Sequence, residues 1–257
     1  MSKTSRASQS RFARVTARDR DLLRWRYGRG YVAELVRGQY ERLFAGGRRV
    51  LDVGCGVGEA AIFAAGAAYV GVDLSEALVR GGAGRPGRAL VVGNVLELPF
   101  ADGAFDRVAC RGMLHHLAGD DLSAALREMA RVLAPGGLMG LVEPNPWNPA
   151  QRLLAYVSPA ERGILHTSVR RLRRALAAAP ALDLIHFEWD HVVVALGQLT
   201  LWRLYRPWAT SPSVTRACLA IHRLARVLTP PPLRALTVWR LRKTGGAGPG
   251  ADGPVSA

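Results

Sequence analysis

Three places in this 257-residue chain carry residues that could do chemistry: the stretch Val50–Glu59 (VLDVGCGVGE), Asp73, and the pair His115-His116. In the first, Val50, Leu51, Asp52 and Val53 read as a short buried strand. Gly54, Gly56 and Gly58, at alternate positions, then turn the chain sharply into the small apolar run Ala60–Ala65, which reads as a helix. Such a turn brings a ligand against bare backbone, with the open amides of the first helical turn facing it. A dinucleotide fingerprint needs its third glycine three residues after its second. Here Gly58 follows Gly56 by two, and Glu59 holds the position that a pyrophosphate would approach. A carboxylate there repels phosphate, and with Asp52 it suits a ligand that carries a cationic group. Asp73 ends a second predicted strand, Tyr69–Val72, and is placed to accept hydrogen bonds from two ribose hydroxyls.

Adenosine with a cationic amino-acid tail and no phosphate describes S-adenosylmethionine. Four segments in order, VLDVGCGVGE, YVGVDLS, GNVLELPFADGAFDRV and RVLAPGGLMGLVEPN, resemble the motifs of the class I S-adenosylmethionine-dependent methyltransferases, especially their small-molecule branch. The resemblance covers Val50–Glu143 and implies an α/β fold: a Rossmann-like, seven-stranded, mostly parallel sheet with helices on both faces and strand seven antiparallel. It implies that Asp52, Gly54, Cys55, Gly56, Gly58, Asp73, Leu74, Asn94, Val95 and Arg111 bind the cofactor. Asn94 stands where the resembled family usually has an acidic residue reaching the adenine amino group. Its amide oxygen can accept the same hydrogen bond without charge, so cofactor binding is expected to be retuned. Leu98, Pro99 and Phe100 either line the adenine slot or pack beneath it. Tyr27, Arg29 and Tyr31, in helices that close over the cofactor in that family, are candidates to contact the methionine carboxylate, or are simply packed.

Methyl transfer from a sulfonium is an in-line displacement in which the cofactor supplies both electrophile and leaving group. The protein has to align donor and acceptor, exclude water, and remove a proton if the acceptor needs it. His115 and His116 leave the carboxyl end of a fourth predicted strand, Phe105–Cys110, where ligands of open α/β sheets sit. They are the candidate bases for a phenol or carbon acid, set against a packing role. Glu143 and Asn145, beyond a fifth predicted strand at Leu138–Val142, are candidates to orient substrate or to serve the strand end. The histidine and cysteine spacings suggest no metal.

These residues need elements to hold them. Residues 1–16 form a basic polar tail expected to be disordered, and 17–243 a single domain with an N-terminal helical cap (17–47) and a late insertion (about 190–232). Residues 244–257 form a Gly/Pro-rich tail, also expected to be disordered. Ser75 caps a helix Glu76–Arg80, and Arg88–Val92 is a third strand. Asp120 and Asp121 cap a helix carrying Leu122, Leu126, Met129 and Leu133, which Pro135-Gly136-Gly137 stops. Thr167 or Ser168 caps a helix Val169–Ala179, whose arginines make a solvated face. Leu182–Trp189 and Leu236–Leu241 supply strands six and seven. In the insertion, Val214, Cys218, Ile221, Ala225 and Leu228 form an apolar helical face opposed by Arg216, Arg223 and Arg226. We read it first as a lid over the substrate pocket and second as a membrane-surface helix.

The net charge of +15 is uneven: residues 1–49 carry +9, 50–149 carry −4 and 150–257 carry +10. All the basic residues except Lys3 and Lys243 are arginine, a bias that coding-DNA composition can produce. Peripheral contact with an anionic membrane surface ranks next as an account of the charge, and nucleic acid last. Methyltransferases of nucleobase amines place an Asn/Asp-Pro-Pro-aromatic element directly after strand four. Here Arg111-Gly112-Met113-Leu114 stands there, and the similar Asn145-Pro146-Trp147 follows strand five. The partner expected is a small-molecule acceptor, with nucleic acid disfavoured; the sequence does not indicate an oligomeric state. Three widely spaced cysteines, no apolar core in the first twenty residues and no apolar run of spanning length lead to a cytoplasmic expectation. The alternative function is a protein that keeps the cofactor pocket without methylating, as a cyclase or binding protein.

Overall fold

The computed structural model describes residues 30–190 and 211–245. Its seven strands are β1 Arg49–Val53, β2 Ala68–Asp73, β3 Ala89–Val92, β4 Phe105–Arg111, β5 Leu133–Pro144, β6 Leu182–Asp190 and β7 Leu236–Lys243. They form one sheet in the order β3-β2-β1-β4-β5-β7-β6. The first five pair in parallel, and β7 runs antiparallel between β5 and β6. The order reverses at β1, so the crevice at the carboxyl ends of β1 and β4 is where a ligand of such a sheet sits. The expected seven-stranded architecture is the one found.

Side chains alternate across β1, and the two faces of the sheet bury different helices. Leu51 and Val53 join Val108, Cys110 and Met139 under α3 (Asp121–Val132) and α5 (Val169–Ala177). Val50 joins Tyr69, Ala109 and Val142 on the opposite face, under α1 (Tyr31–Phe44). The chain breaks at Gly30, where φ is 102°, and α1 starts at the next residue. It lies so close to the sheet that a Cβ on Gly140 of β5 would collide with Leu43. The next helix, α2 (Glu76–Gly82), is capped by Ser75, whose hydroxyl accepts from Leu78 N at 3.4 Å.

Some elements differ from expectation. The alanine-rich run after Gly58 forms only a 3-10 turn, Glu59–Phe63, because the chain must reach β2 at Ala68 and a full crossover helix needs more residues. No side-chain cap comes from Asp120, and Pro135-Gly136-Gly137 lies inside β5 rather than ahead of it. An unforeseen helix, α4 (Pro149–Val157), begins where Asn148 Oδ1 accepts from Ala150 N and Gln151 N, both at 3.1 Å. Asn at the N-cap followed by Pro at the first helical position is a start signal legible in the sequence. Within the insertion, α6 (Pro212–Leu228) is helical as expected but rotated: His222 is buried, whereas Ile221 and Leu228, expected to face inward, are exposed.

Tyr27, Arg29, the tail at 1–16, residues 191–210 of the insertion and residues 246–257 lie outside the described residues. Among those described, no helix is long and apolar enough to cross a membrane.

Candidate active site

The glycine turn is fixed from β2. Gly54 N and Cys55 N both donate to Val72 O, at 2.8 and 3.1 Å, and Gly58 N donates to Cys55 O at 3.0 Å. All three glycines have positive φ, between 58° and 73°. A Cβ at Gly54 would strike Met113 and one at Gly58 would strike Leu90, so these two are required by packing as well as by conformation. Gly56 is different. A Cβ there meets nothing within 4 Å, and the same holds for Gly112 beyond β4. Bare backbone thus faces open space at the switch point. Cys55 contributes backbone, while its sulfur lies against Gly71.

Asp73 binds the turn to β2: Oδ2 accepts from Gly56 N at 2.8 Å and Oδ1 from Ser75 N at 2.9 Å. Burial raises its pKa, opposed by backbone hydrogen bonds from Ser75, Gly56 and Leu74. The lone pair that these amides leave over can accept from a ligand hydroxyl. An open glycine cradle beside an oriented carboxylate fits an adenosyl ligand of the kind the sequence implied.

Asp52 is placed differently from expectation. It follows Val50 onto the α1 face, is 1% exposed, and Oδ2 accepts from Tyr69 OH at 2.8 Å. Its Oδ1 is buried without a hydrogen-bond partner. Burial lifts its pKa to about 7; the Tyr69 hydrogen bond opposes this, Asp73 adds to it, and Arg111 opposes it. It therefore does not form an open pair with Asp73, although the two charges sense each other. Arg111 is also buried, its Nε donating to Gln39 Oε1 at 2.9 Å, and Gln39 Nε2 donates to Asp190 Oδ2 at 3.3 Å. Glu59 is no ligand either, because it is paired with Arg85.

On the adenine side, Asn94 Oδ1 accepts from Leu96 N at 3.1 Å, a local turn bond that leaves one lone pair. Val95 and Leu98 belong to the core, so Val95 offers backbone rather than side chain. Phe100 packs edge-on against Phe105 at 5.0 Å. Tyr31 hydrogen-bonds His222 Nδ1 at 2.9 Å and is packed between α1 and α6, away from the carboxylate role considered for it.

The expected base and substrate residues also need correction. Glu143 is fully buried, and both its oxygens are taken: Oε1 accepts from Met113 N and Leu114 N at 3.0 and 2.8 Å, Oε2 from His115 N and Nδ1 at 3.2 and 2.9 Å. It anchors the 3-10 turn Leu114–His116 and cannot orient a substrate. His115 Nε2 bonds Glu161 Oε2 at 3.2 Å. Burial pushes the imidazole pKa down, but the charges and hydrogen bonds of Glu143 and Glu161 outweigh it and raise it to about 9. Both ring nitrogens of His115 are engaged by carboxylates, Nδ1 by Glu143 and Nε2 by Glu161, an arrangement that suits a positioning role better than that of a free base. His116 lies against it, ring centroids 4.0 Å apart, and burial together with the His115 charge lowers its pKa to about 4.

Asn145 is buried, its Nδ2 donating to Pro232 O and Arg234 O at 2.8 and 2.6 Å. It stitches the end of β5 to the loop before β7, and substrate cannot reach it. The residue that sequence reasoning missed is Glu161, in the 3-10 segment Pro159–His166. Nothing periodic marks it, and only the packing of that segment on His115 reveals it.

The description "Methyltransferase domain" matches residues 51–141. A demethylmenaquinone methyltransferase of Beutenbergia cavernae is 33% identical over 196 residues, 71% of this chain and 75% of its own length. A 27-O-demethylrifamycin SV methyltransferase of Amycolatopsis mediterranei is 35% identical over 53% of this chain and 50% of its own length. The chain spans about half the length of several other curated relatives it matches. Among solved structures, phosphoethanolamine N-methyltransferase 2 of Haemonchus contortus in complex with S-adenosyl-L-methionine superposes with a TM-score of 0.64 at 17% identity, over 93% of this chain and 60% of that one. At that identity the likeness concerns the fold.

Proposed function

The chain belongs to the class I S-adenosylmethionine-dependent methyltransferases, and from that premise we propose that it transfers a methyl group to oxygen or carbon of a small, hydrophobic acceptor. The observation that carries the proposal is the open backbone at Gly56 and Gly112, on either side of the crevice between β1 and β4, with the Glu143-anchored turn beside it. When bound, the cofactor supplies a methyl group on a positively charged sulfur, and with it the electrophile and the leaving group.

The residues of this chain hold and exclude. Asp73 would accept from the ribose hydroxyls, the bare backbone of Gly54–Gly58 would hold the ligand, and the remaining lone pair of Asn94 Oδ1 would be available to the adenine amino group. The ionised form of Asp52 favours a cationic ligand from beneath the cradle. Glu143 rigidifies the turn that carries His116 toward the acceptor, so alignment and water exclusion supply most of the catalysis.

The acceptor class is supported by the two relatives, whose names specify a menaquinone precursor and a rifamycin. Free Cys55, Cys110 and Cys218 suit a reducing cytoplasm. Peripheral membrane contact is supported by the exposed Ile221, Leu224, Val227 and Leu228 of α6, flanked by Arg223. The test is incubation with methyl-labelled S-adenosylmethionine and an extract of the producing cell. The reading expects label in an extractable small molecule identified by mass spectrometry. Label confined to nucleic acid or protein would overturn it.

A further inference from the structure

At the carboxyl ends of β4 and β5, the fold gathers side chains that neither cofactor binding nor the sheet requires. One ring nitrogen each of His115 and His116 and a carboxylate oxygen of Glu161 lie within 4.8 Å of one another. We propose that these three residues form a binding site for a divalent transition-metal ion whose open positions take an oxygen of the acceptor. The second part rests on the methyltransferase reading above, whereas the ion site does not.

Four observations carry it. First, His115 has the outer support that metal-ligating histidines have: its Nδ1–H donates to Glu143, a fully buried carboxylate that also accepts three backbone N–H groups. That bond fixes the ring and directs Nε2 at Glu161. Second, Nε2 and Glu161 Oε2 are 3.2 Å apart, close to the separation of two ligands sharing one ion at about 2.1 Å. Third, the His116 ring lies beside that of His115, centroids 4.0 Å apart and tilted by 46°, so a second imidazole is at hand.

Fourth, Glu161 is brought over the histidines by a contact that only glycine allows. A Cβ on Gly163 would run into the His115 carbonyl, and Thr167 Oγ1 donates to Gly163 O at 3.1 Å to hold the segment there. The cluster is half-open: His115 is buried, and His116 and Glu161 are partly exposed.

Two imidazoles and one carboxylate favour zinc, iron(II), cobalt(II) or nickel(II) over magnesium, which prefers oxygen ligands. Three protein ligands leave positions for an exogenous oxygen. Binding displaces the Nε2 proton. Met113, which packs on Gly54, joins this cluster to the glycine turn.

The test is titration of the chelator-stripped full chain with cobalt(II), read by visible d–d absorption, and with zinc(II), read by calorimetry. One ion per chain is expected. His116→Ala and Glu161→Gln should each weaken binding by more than about tenfold, since even an outer-shell loss costs that much. No absorption with the unmodified chain, or the same titration in both variants, overturns the site. Calorimetry with S-adenosylmethionine on the same three proteins separates the two readings. Cofactor binding without metal binding removes this inference alone, and metal binding without cofactor binding in the unmodified chain removes the methyltransferase reading and the acceptor-oxygen part that rests on it, leaving the ion site.

Discussion

Replacing Asp52 with Asn should stabilise the apo-protein above neutral pH, and the gain should shrink and vanish as pH falls towards 4.5. Asp52 is 1% exposed, one of its oxygens has no partner, and burial raises its pKa from 3.8 to about 7. Below pH 3.8 the carboxyl is protonated in both folded and unfolded chains, and it contributes no pH-dependent difference. Between 3.8 and 7 the unfolded chain ionises while the native carboxyl keeps its proton, so the native state binds more protons and stability falls as pH rises. Above 7 both states are ionised and the whole penalty, about 4 kcal/mol, remains. Asn keeps an oxygen for the Tyr69 hydroxyl but brings an amide that needs its own acceptor, which offsets about 1–2 kcal/mol. The net gain of about 2–3 kcal/mol at pH 8 corresponds to a Tm about 4–12 °C higher for a chain of this size. Thermal unfolding of both proteins, followed by circular dichroism from pH 4.5 to 8.5, reads this directly. A Tm difference that stays constant across that range would refute the reasoning. In the same variant, S-adenosylmethionine affinity should fall at pH 8, because the anion beneath the cradle has been removed.

Other substitutions probe the supports of the site. Glu143→Gln replaces an acceptor of four N–H donations by an amide that cannot satisfy them all, and should cost about 2–4 kcal/mol in chemical denaturation; an unchanged midpoint would contradict the anchoring role. Asn145→Ala removes the two bonds to the loop before β7 and leaves the partly buried Pro232 and Arg234 carbonyls without this partner. It should cost about 1–3 kcal/mol in denaturation while leaving the acceptor KM of the folded fraction unchanged, whereas a raised KM would restore a substrate role. Gly140→Val forces α1 off β5 at Leu43 and should destabilise by about 1–3 kcal/mol or more; wild-type stability would show that α1 is not held there.

How far the sequence was legible follows the range of the interactions involved. The glycine turn, Asp73 and the Ser75 cap are local, so spacing alone placed them, and the motif order carried the sheet topology with it. Asp52 was misplaced because strand parity puts it with Val50 rather than with Leu51 and Val53, and only the packed helices show that this face belongs to α1. Glu59 read as a free charge because Arg85, its partner, is brought near by the β2–β3 crossover. Glu143 and His115 read as reactive groups, yet they satisfy each other across two adjacent strands. Glu161 acquires meaning only from the close approach at Gly163. The run Ala60–Ala65 has helical composition, but the short return to β2 overrides it.

The most direct measurement of the central claim is calorimetric titration of S-adenosylmethionine into the unmodified chain and into Asp73→Ala. Asp73 faces the cradle and would hold the two ribose hydroxyls, each bond contributing about 1 kcal/mol or more because the acceptor is ionised. The account predicts one site per chain, an affinity at least about tenfold weaker in the variant, and a native circular dichroism spectrum for both proteins. Equal affinity in the two, with the variant folded, would contradict it.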